Sequence, residues 1–197
     1  MTSWTVSRDR ILTATEIKAV LADLTRKARR SPLTRRSLII FRLACCCGLR
    51  ASELNRLTLA NVRLSSRPAI RVPASIGKGG KARTVPLNWD AGTLADLTAW
   101  KSLREVQGAS ANDLFICTKS GGQIDRRAAR KAFQAACRVL DRPVTIHDGR
   151  HSFVSHALHA GRTVVEAREA AGHSTIATTS IYAHLVEDDG TVGNLFG

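Results

Sequence analysis

Tyr182 is the single tyrosine of the 197-residue chain and closes the segment Gly172-His173-Ser174-Thr175-Ile176-Ala177-Thr178-Thr179-Ser180-Ile181-Tyr182. A phenol with a pKa near 10 is almost wholly protonated at neutral pH, so as a nucleophile it needs cations and a base nearby. Residues of those kinds stand far off along the chain. Gly48-Leu49-Arg50-Ala51-Ser52-Glu53-Leu54 puts an arginine at a helix start with Glu53 one turn on, where it could orient the guanidinium. Gly77-Lys78-Gly79-Gly80-Lys81-Ala82-Arg83 is a basic, glycine-rich stretch able to fold over a backbone phosphate. It lacks the gap before Gly-Lys-Ser/Thr and the following helix of a nucleotide-binding P-loop. His147-Asp148-Gly149-Arg150 sets an imidazole and a guanidinium on one side of a helical turn. Arginine pairs bidentately with phosphate oxygens, and histidine carries protons near neutral pH.

Each residue also has a plain structural reading: a core tyrosine with a bonded hydroxyl, a surface arginine, a flexible hairpin tip. Their combination suits one task. Phosphoryl transfer needs donors around the equatorial oxygens, an activated nucleophile and an acid for the leaving oxygen. No carboxylate cluster stands ready for Mg²⁺, so a route without metal or cofactor is expected. His147 and His151, four apart, could start a metal site, but the spacing suggests no third ligand and the Glu of a metalloprotease helix is missing. His156, His159 and His184 have no distinguishing spacing and read as structural or surface residues.

These side chains need elements to hold them. Thr13 with Glu16 three residues on is a capping-box start, followed by Ile17, Val20, Leu21 and Leu24 at helical spacing. After Pro32 a second helical pattern runs over 33–47 until Gly48 breaks it, and a short third helix fits 51–57. The period then changes to alternation over 69–72 and 83–87, which predicts a β-hairpin around the basic loop 75–82. Helical patterns return over 91–106 and 126–140, with a short apolar run at 114–117 between them. Several short helices follow from His147, interrupted at Gly161 and Gly172. No repeat or linker divides the chain, so a single domain over 1–197 with its core in about 12–185 is expected, mainly α with a small antiparallel β-sheet (α+β).

Lys and Arg number 30 against 16 Asp and Glu, a net charge of +14, and hydrophobic residues make up 44%. That balance excludes a disordered basic tail and points to a folded domain with a polyanionic partner. The charge is uneven: +8, +4 and +5 over residues 1–50, 51–100 and 101–150, then −3 over 151–197. The first three quarters can therefore present a phosphate-binding face. The start of the chain lacks an apolar signal core, and the most apolar stretch, 38–49, is interrupted by Arg42 and too short for a bilayer. Of the five cysteines, Cys45, Cys46 and Cys47 are consecutive and Cys117 and Cys137 stand alone, neither a zinc pattern nor a disulfide framework. The triplet is expected to pack as small hydrophobes, and a reducing cytoplasm is the expected compartment.

The segments at 48–54, 77–87, 147–153 and 172–182, taken in order, closely resemble the four signature boxes of the tyrosine recombinase (phage integrase) family. His173 precedes Tyr182 by the family's nine positions. The resemblance implies the fold of that family's catalytic domain and site-specific recombination of double-stranded DNA through a 3′-phosphotyrosyl link, without ATP. It implies that Arg50 and Arg150 clamp the scissile phosphate and that Lys78, rather than Lys81, is the acid for the leaving 5′ oxygen. His147 would take the proton of Tyr182, and His173 would donate to the phosphate. It further implies self-assembly as a tetramer on paired sites and a place at the nucleoid. Two enzyme-poor or partner-poor variants stand beside it: an inactive DNA-binding accessory protein of this fold, and a nick-and-close enzyme resembling type IB topoisomerases.

Three departures from the family pattern carry expectations of their own. Gly149 stands where members have a bulky apolar residue, which predicts a less rigidly held Arg150. No separate N-terminal DNA-clamp domain is expected before the first helix. After Tyr182 the chain is short and acidic, with Glu187, Asp188 and Asp189, in a region that in the family often docks on a neighbouring protomer.

Overall fold

Thr13 accepts a hydrogen bond from the Glu16 amide while the Glu16 carboxylate accepts from the Thr13 amide, so the capping box forms as its residues dictate. A cap of this kind is worth about 1 kcal/mol. It opens α1 (Ala14–Ala28), whose Ile17, Val20, Leu21 and Leu24 are buried. The computed structural model describes residues 6–182. The acidic tail at 187–189 lies outside them.

Ser31 caps α2 (Pro32–Phe41), and Pro32 at its first position needs no amide partner. The helix pattern read over 33–47 holds only to Phe41; Arg42–Cys46 widens into a π-helical turn. Arg42, which interrupts the apolar run, is buried and bound to Asp90 at 3.1 Å and Asp96 at 2.8 Å. A buried guanidinium persists only with such partners, and these tie α2 to α4 (Ala91–Val106). Gly48 then turns the chain at φ +64°, and a Cβ there would lie 2.4 Å from the Phe153 ring. Glycine is thus required both by backbone sign and by packing. The turn delivers Arg50 to the start of α3 (Ala51–Leu54), shorter than the 51–57 expected.

The hairpin is present: β2 (Ala69–Val72) pairs antiparallel with β3 (Arg83–Pro86), with Ile70 opposite Val85 and Val72 opposite Arg83. A third strand that alternation over so few residues could not reveal, β1 (Val62–Arg63), pairs with β2. Ile70, Val72, Val85 and Leu87 face the core, as a period of two requires.

α5 (Arg126–Ala136) buries Ala129, Phe133 and Ala136 and leaves Arg126, Arg130 and Gln134 exposed. Its Phe133 stacks on Phe41 of α2 at 5.5 Å between centroids. The run at 114–117 is a buried connector: Trp100 of α4 donates its indole N–H to the Phe115 carbonyl at 2.8 Å. α6 (Ile146–His159), α7 (Val164–Ala171) and α8 (Ile176–Ser180) close the described chain. α7 stops at Gly172, left-handed at φ +68°. The architecture is mainly helical with one small antiparallel sheet. Cys45, Cys46 and Cys47 are all buried, Cys45 against Gly149 of α6 and Cys46 beside Arg42 and Thr93, and burial raises all three thiols. They pack as hydrophobes and do not ionise at neutral pH. No described helix is long and apolar enough to cross a membrane.

Candidate active site

Four elements converge on one basic centre. Arg50 comes from the start of α3, the exposed Lys78 from the hairpin loop, His147 and Arg150 from the first turns of α6, and His173 and Tyr182 from either side of α8. Two adjoining clefts meet at Arg50. One, of about 420 Å³, is lined by Arg50, His147 and Arg150 together with Arg126, Arg130 and Gln134 of α5. The other, of about 510 Å³, is lined by Arg50, Lys78, Lys81, Arg83 and His173. All six residues singled out in the sequence therefore lie in or beside these clefts, with Tyr182 bound to α6 behind them.

The guanidiniums are held from below. Glu53, completely buried, accepts from Arg83 Nη1 and Nη2 at 2.7 and 2.8 Å, from Arg50 Nη1 at 3.0 Å and from the Arg50 amide at 2.8 Å. Burial opposes its ionisation, but Arg83 and Arg50 prevail and hold the carboxyl at about 2. Arg83 also donates from Nε to the Ala170 carbonyl at 2.9 Å, joining β3, α3 and α7. Arg83, which motif reading left without a role, is thus part of the network that holds Arg50. Its signal was present: it shares a strand face with Val85 and Leu87, so a cation stands at an inward position.

Arg150 donates from Nη1 to the Gly48 carbonyl at 2.6 Å and from Nη2 to the Ala171 carbonyl. A guanidinium has five N–H donors, so donors remain for a ligand. The expectation that Gly149 loosens Arg150 is corrected here. A Cβ on Gly149 would meet Cys45 Sγ at 2.8 Å and the Phe133 ring at 3.1 Å. Those two side chains occupy the space a bulky residue would take, and Arg150 is tied at both ends.

Burial and the neighbouring Arg50 and Arg83 push Arg150 down to about 9, still a cation at neutral pH. Burial, then Arg150 and Arg50, push His173 down to about 3. His147, exposed toward the cleft, is lowered by desolvation and by Arg150. Such a concentration of positive charge, beside imidazoles kept neutral by burial first and by the arginines second, is a site shaped for an anion. A phosphodiester entering between Arg50 and Arg150 would relieve the repulsion.

His173 shares a 3.0 Å hydrogen bond through Nδ1 with Thr179, and its ring stacks on Tyr182 at 6.0 Å. The Tyr182 hydroxyl is bonded to His151 Nδ1 at 2.6 Å, whereas His147, the partner expected from the resemblance, reaches it only through the His151 ring, 4.6 Å away edge-on. His156 is structural, its Nε2 bonded to the Leu12 carbonyl at 2.7 Å. Among the described residues no group of three or more His, Cys, Asp or Glu could hold a metal ion.

Comparison with known proteins agrees with this geometry. The profile of the phage integrase family matches residues 10–188. Tyrosine recombinase XerC of Pseudomonas putida is 37% identical over 154 residues, covering 78% of this chain and 49% of that protein. Tyrosine recombinase XerD of Halalkalibacterium halodurans is 30% identical over 180 residues, covering 90% of this chain and 59% of that one. The chain spans about half the length of the curated relatives it matches. Among solved structures, that of XerA recombinase superposes with a TM-score of 0.74 at 22% identity, over 95% of this chain and 62% of that chain. XerH site-specific recombinase bound to difH substrate gives 0.72 at 23%, over 93% and 52%. At those identities the likeness is one of fold.

Proposed function

The chain belongs to the phage integrase family, and from that premise we propose that it cleaves and rejoins DNA strands at specific sites through a phosphotyrosyl intermediate. The observation that carries this reading is the meeting of Arg50, Arg150, His173 and the Tyr182 hydroxyl beside a cleft whose walls are basic.

In the proposed reaction a backbone phosphate sits on Arg50 and Arg150, whose donors surround its non-bridging oxygens as charge builds there. Glu53 and the carbonyls of Gly48 and Ala171 hold the two guanidiniums in place before substrate arrives. The Tyr182 oxygen attacks phosphorus; the Oη–P bond forms as the P–O5′ bond breaks. The phenolic proton passes to the histidine side of the site, and Lys78 protonates the departing 5′ oxygen. His147 and His173 donate to the phosphate from either cleft. The ester bond energy is kept in the tyrosyl link, so attack by another strand's 5′-hydroxyl completes exchange without a nucleotide cofactor.

Double-stranded DNA is the proposed partner, at the nucleoid, with assembly as a tetramer on paired sites. The +14 charge and the Arg126, Arg130, Gln134 stripe that extends one cleft support a duplex running past the scissile phosphate. A nicked suicide duplex built from the DNA flanking the gene tests this. Wild type should give a protein–DNA band that survives denaturation, and Tyr182→Phe should give none. Tight binding without a band would favour the accessory-protein reading instead.

A further inference from the structure

We infer that Arg10, on the segment that leads into α1, is a positioning residue for strand cleavage: its ion pair with Asp148 fixes the first turn of α6, which carries His147 and Arg150. The inference rests on the phosphotyrosyl reading above and leaves the role of every residue in it unchanged.

α6 carries a polar stripe at four-residue spacing, Asp148, Ser152 and His156, which a helix places on one face. The segment before α1 is laid along it. Arg10 Nε donates to Asp148 Oδ1 at 2.5 Å. The Leu12 amide donates to Ser152 Oγ at 2.8 Å, and the Leu12 carbonyl is bonded to His156 Nε2 at 2.7 Å. Arg142, in the loop before α6, donates to the carbonyls of Asp9 and Ile11 at 2.6 and 3.0 Å and to both carboxylate oxygens of Glu16. Ile11 and Leu12 are buried, so their backbone groups need such partners. The segment is thereby held in one register against α6 and delivers Arg10 to the start of the helix.

Asp148 is more than the partner of a surface arginine. Its side chain is 6% exposed, and its Oδ2 accepts from the Thr145 amide and hydroxyl at 2.7 Å each. Those two bonds close the helix cap on itself. The bond from Arg10 to Oδ1 adds an outside point, which sets where the turn stands against the rest of the fold. His147 precedes this carboxylate in the chain and Arg150 follows two residues on.

The same pair shapes the field at His147. Burial lowers its proton affinity most; Arg150 lowers it further, Asp148 raises it, and Arg10 and Arg50 lower it. The His151 ring stands edge-on at 4.6 Å, and Arg126 and Arg130 of α5 line the same cleft. Arg10 and Asp148 thus act on His147 with opposite signs. Without the arginine the carboxylate, still held by Thr145, is unopposed, and the imidazole titrates at higher pH. A merely mechanical prop would not move that titration.

Wild type is compared with Arg10→Gln, Arg10→Lys, Asp148→Asn and the double variant Arg10→Gln/Asp148→Asn. Single-turnover cleavage of the nicked duplex is timed at saturating protein, DNA binding is measured beside it, and the His147 imidazole is titrated by NMR in DNA-free protein. Arg10→Gln should cleave about tenfold or more slowly at saturation, with His147 titrating at higher pH. Arg10→Lys keeps the charge and should restore both in large part. The double variant should lose less than the two single losses combined, as partners in one interaction do; fully additive losses overturn the assignment. Wild-type cleavage at saturation by Arg10→Gln also overturns it, as does an unmoved His147 titration. Weaker binding with an unchanged saturated rate would make Arg10 a DNA-backbone contact only and overturns it too. Each of these is read against a wild type that forms the adduct; a wild type that forms none removes the recombinase reading together with this one.

Discussion

Replacing Glu53 with glutamine removes one charge and almost no volume from beneath the two guanidiniums. In the folded chain the carboxyl is held at about 2 against an ordinary 4.5. At about 1.4 kcal/mol per pH unit, that difference is worth about 3 kcal/mol of stability at neutral pH. Because the folded value is the lower one, the contribution is complete above about pH 4.5 and drains away as pH falls toward 2. Glutamine offers one carbonyl where two oxygens accepted four N–H groups, and turns an NH₂ toward cations. Leaving a buried charge without its partner costs about 3–5 kcal/mol, consistent with the first figure. Against a total stability of about 5–15 kcal/mol the loss is large. Urea denaturation of wild type and Glu53→Gln at steps from pH 7 to pH 3 measures it. We expect a gap of about 3 kcal/mol at pH 7 that narrows below pH 4.5. A gap under about 1 kcal/mol, or one independent of pH, would refute the view that Glu53 is the charged anchor of Arg50 and Arg83.

Two further expectations follow from the packing and the charge. Gly149→Ala should destabilise the chain by about 1–3 kcal/mol, overriding the roughly 1 kcal/mol that alanine contributes to a helix. Adding Cys45→Ala should recover part of that loss, since Cys45 Sγ is the nearest atom to the new methyl; increased stability on Gly149→Ala alone would contradict the close packing. Replacing Arg126 and Arg130 together with glutamine should weaken DNA binding and flatten the plot of log K against log salt by about 2, near 0.9 for each phosphate no longer neutralised. An unchanged slope would place the duplex elsewhere than along the α5 side of the cleft.

Much of the chain could be read from local signals because local physics decides it. Thr13 and Glu16 make a capping box from four consecutive residues, and alternation over 69–72 and 83–87 exposes a hairpin through its two-residue period. Arg50, Lys78, His147, Arg150, His173 and Tyr182 were nameable because the segments that hold them resemble, in order and spacing, the signature boxes of the tyrosine recombinase family, and their types suit phosphoryl transfer. Where local pattern gave way, a partner distant in sequence had decided the outcome. The helix over 33–47 widens into a π-helical turn at Arg42, whose charge is answered by Asp90 and Asp96 on another helix. Gly149 reads as slack beside Arg150 along the chain, yet Cys45 and Phe133 fill its space in the fold.

The same division runs through the site. Residue types alone pointed to arginines able to hold an anion, since charge belongs to the side chain, and the resemblance to the family added the proposed role of the lone tyrosine as nucleophile. They could not determine which histidine meets the Tyr182 hydroxyl. His147 and His151 stand one turn apart on α6 and present the same chemistry, so only the packing of the Tyr182 segment against α6 separates them, by the position of a single ring nitrogen. Nor could they show that Arg83 anchors Glu53, because that contact joins residues thirty positions apart and exists only once β3 is laid against α3 and α7.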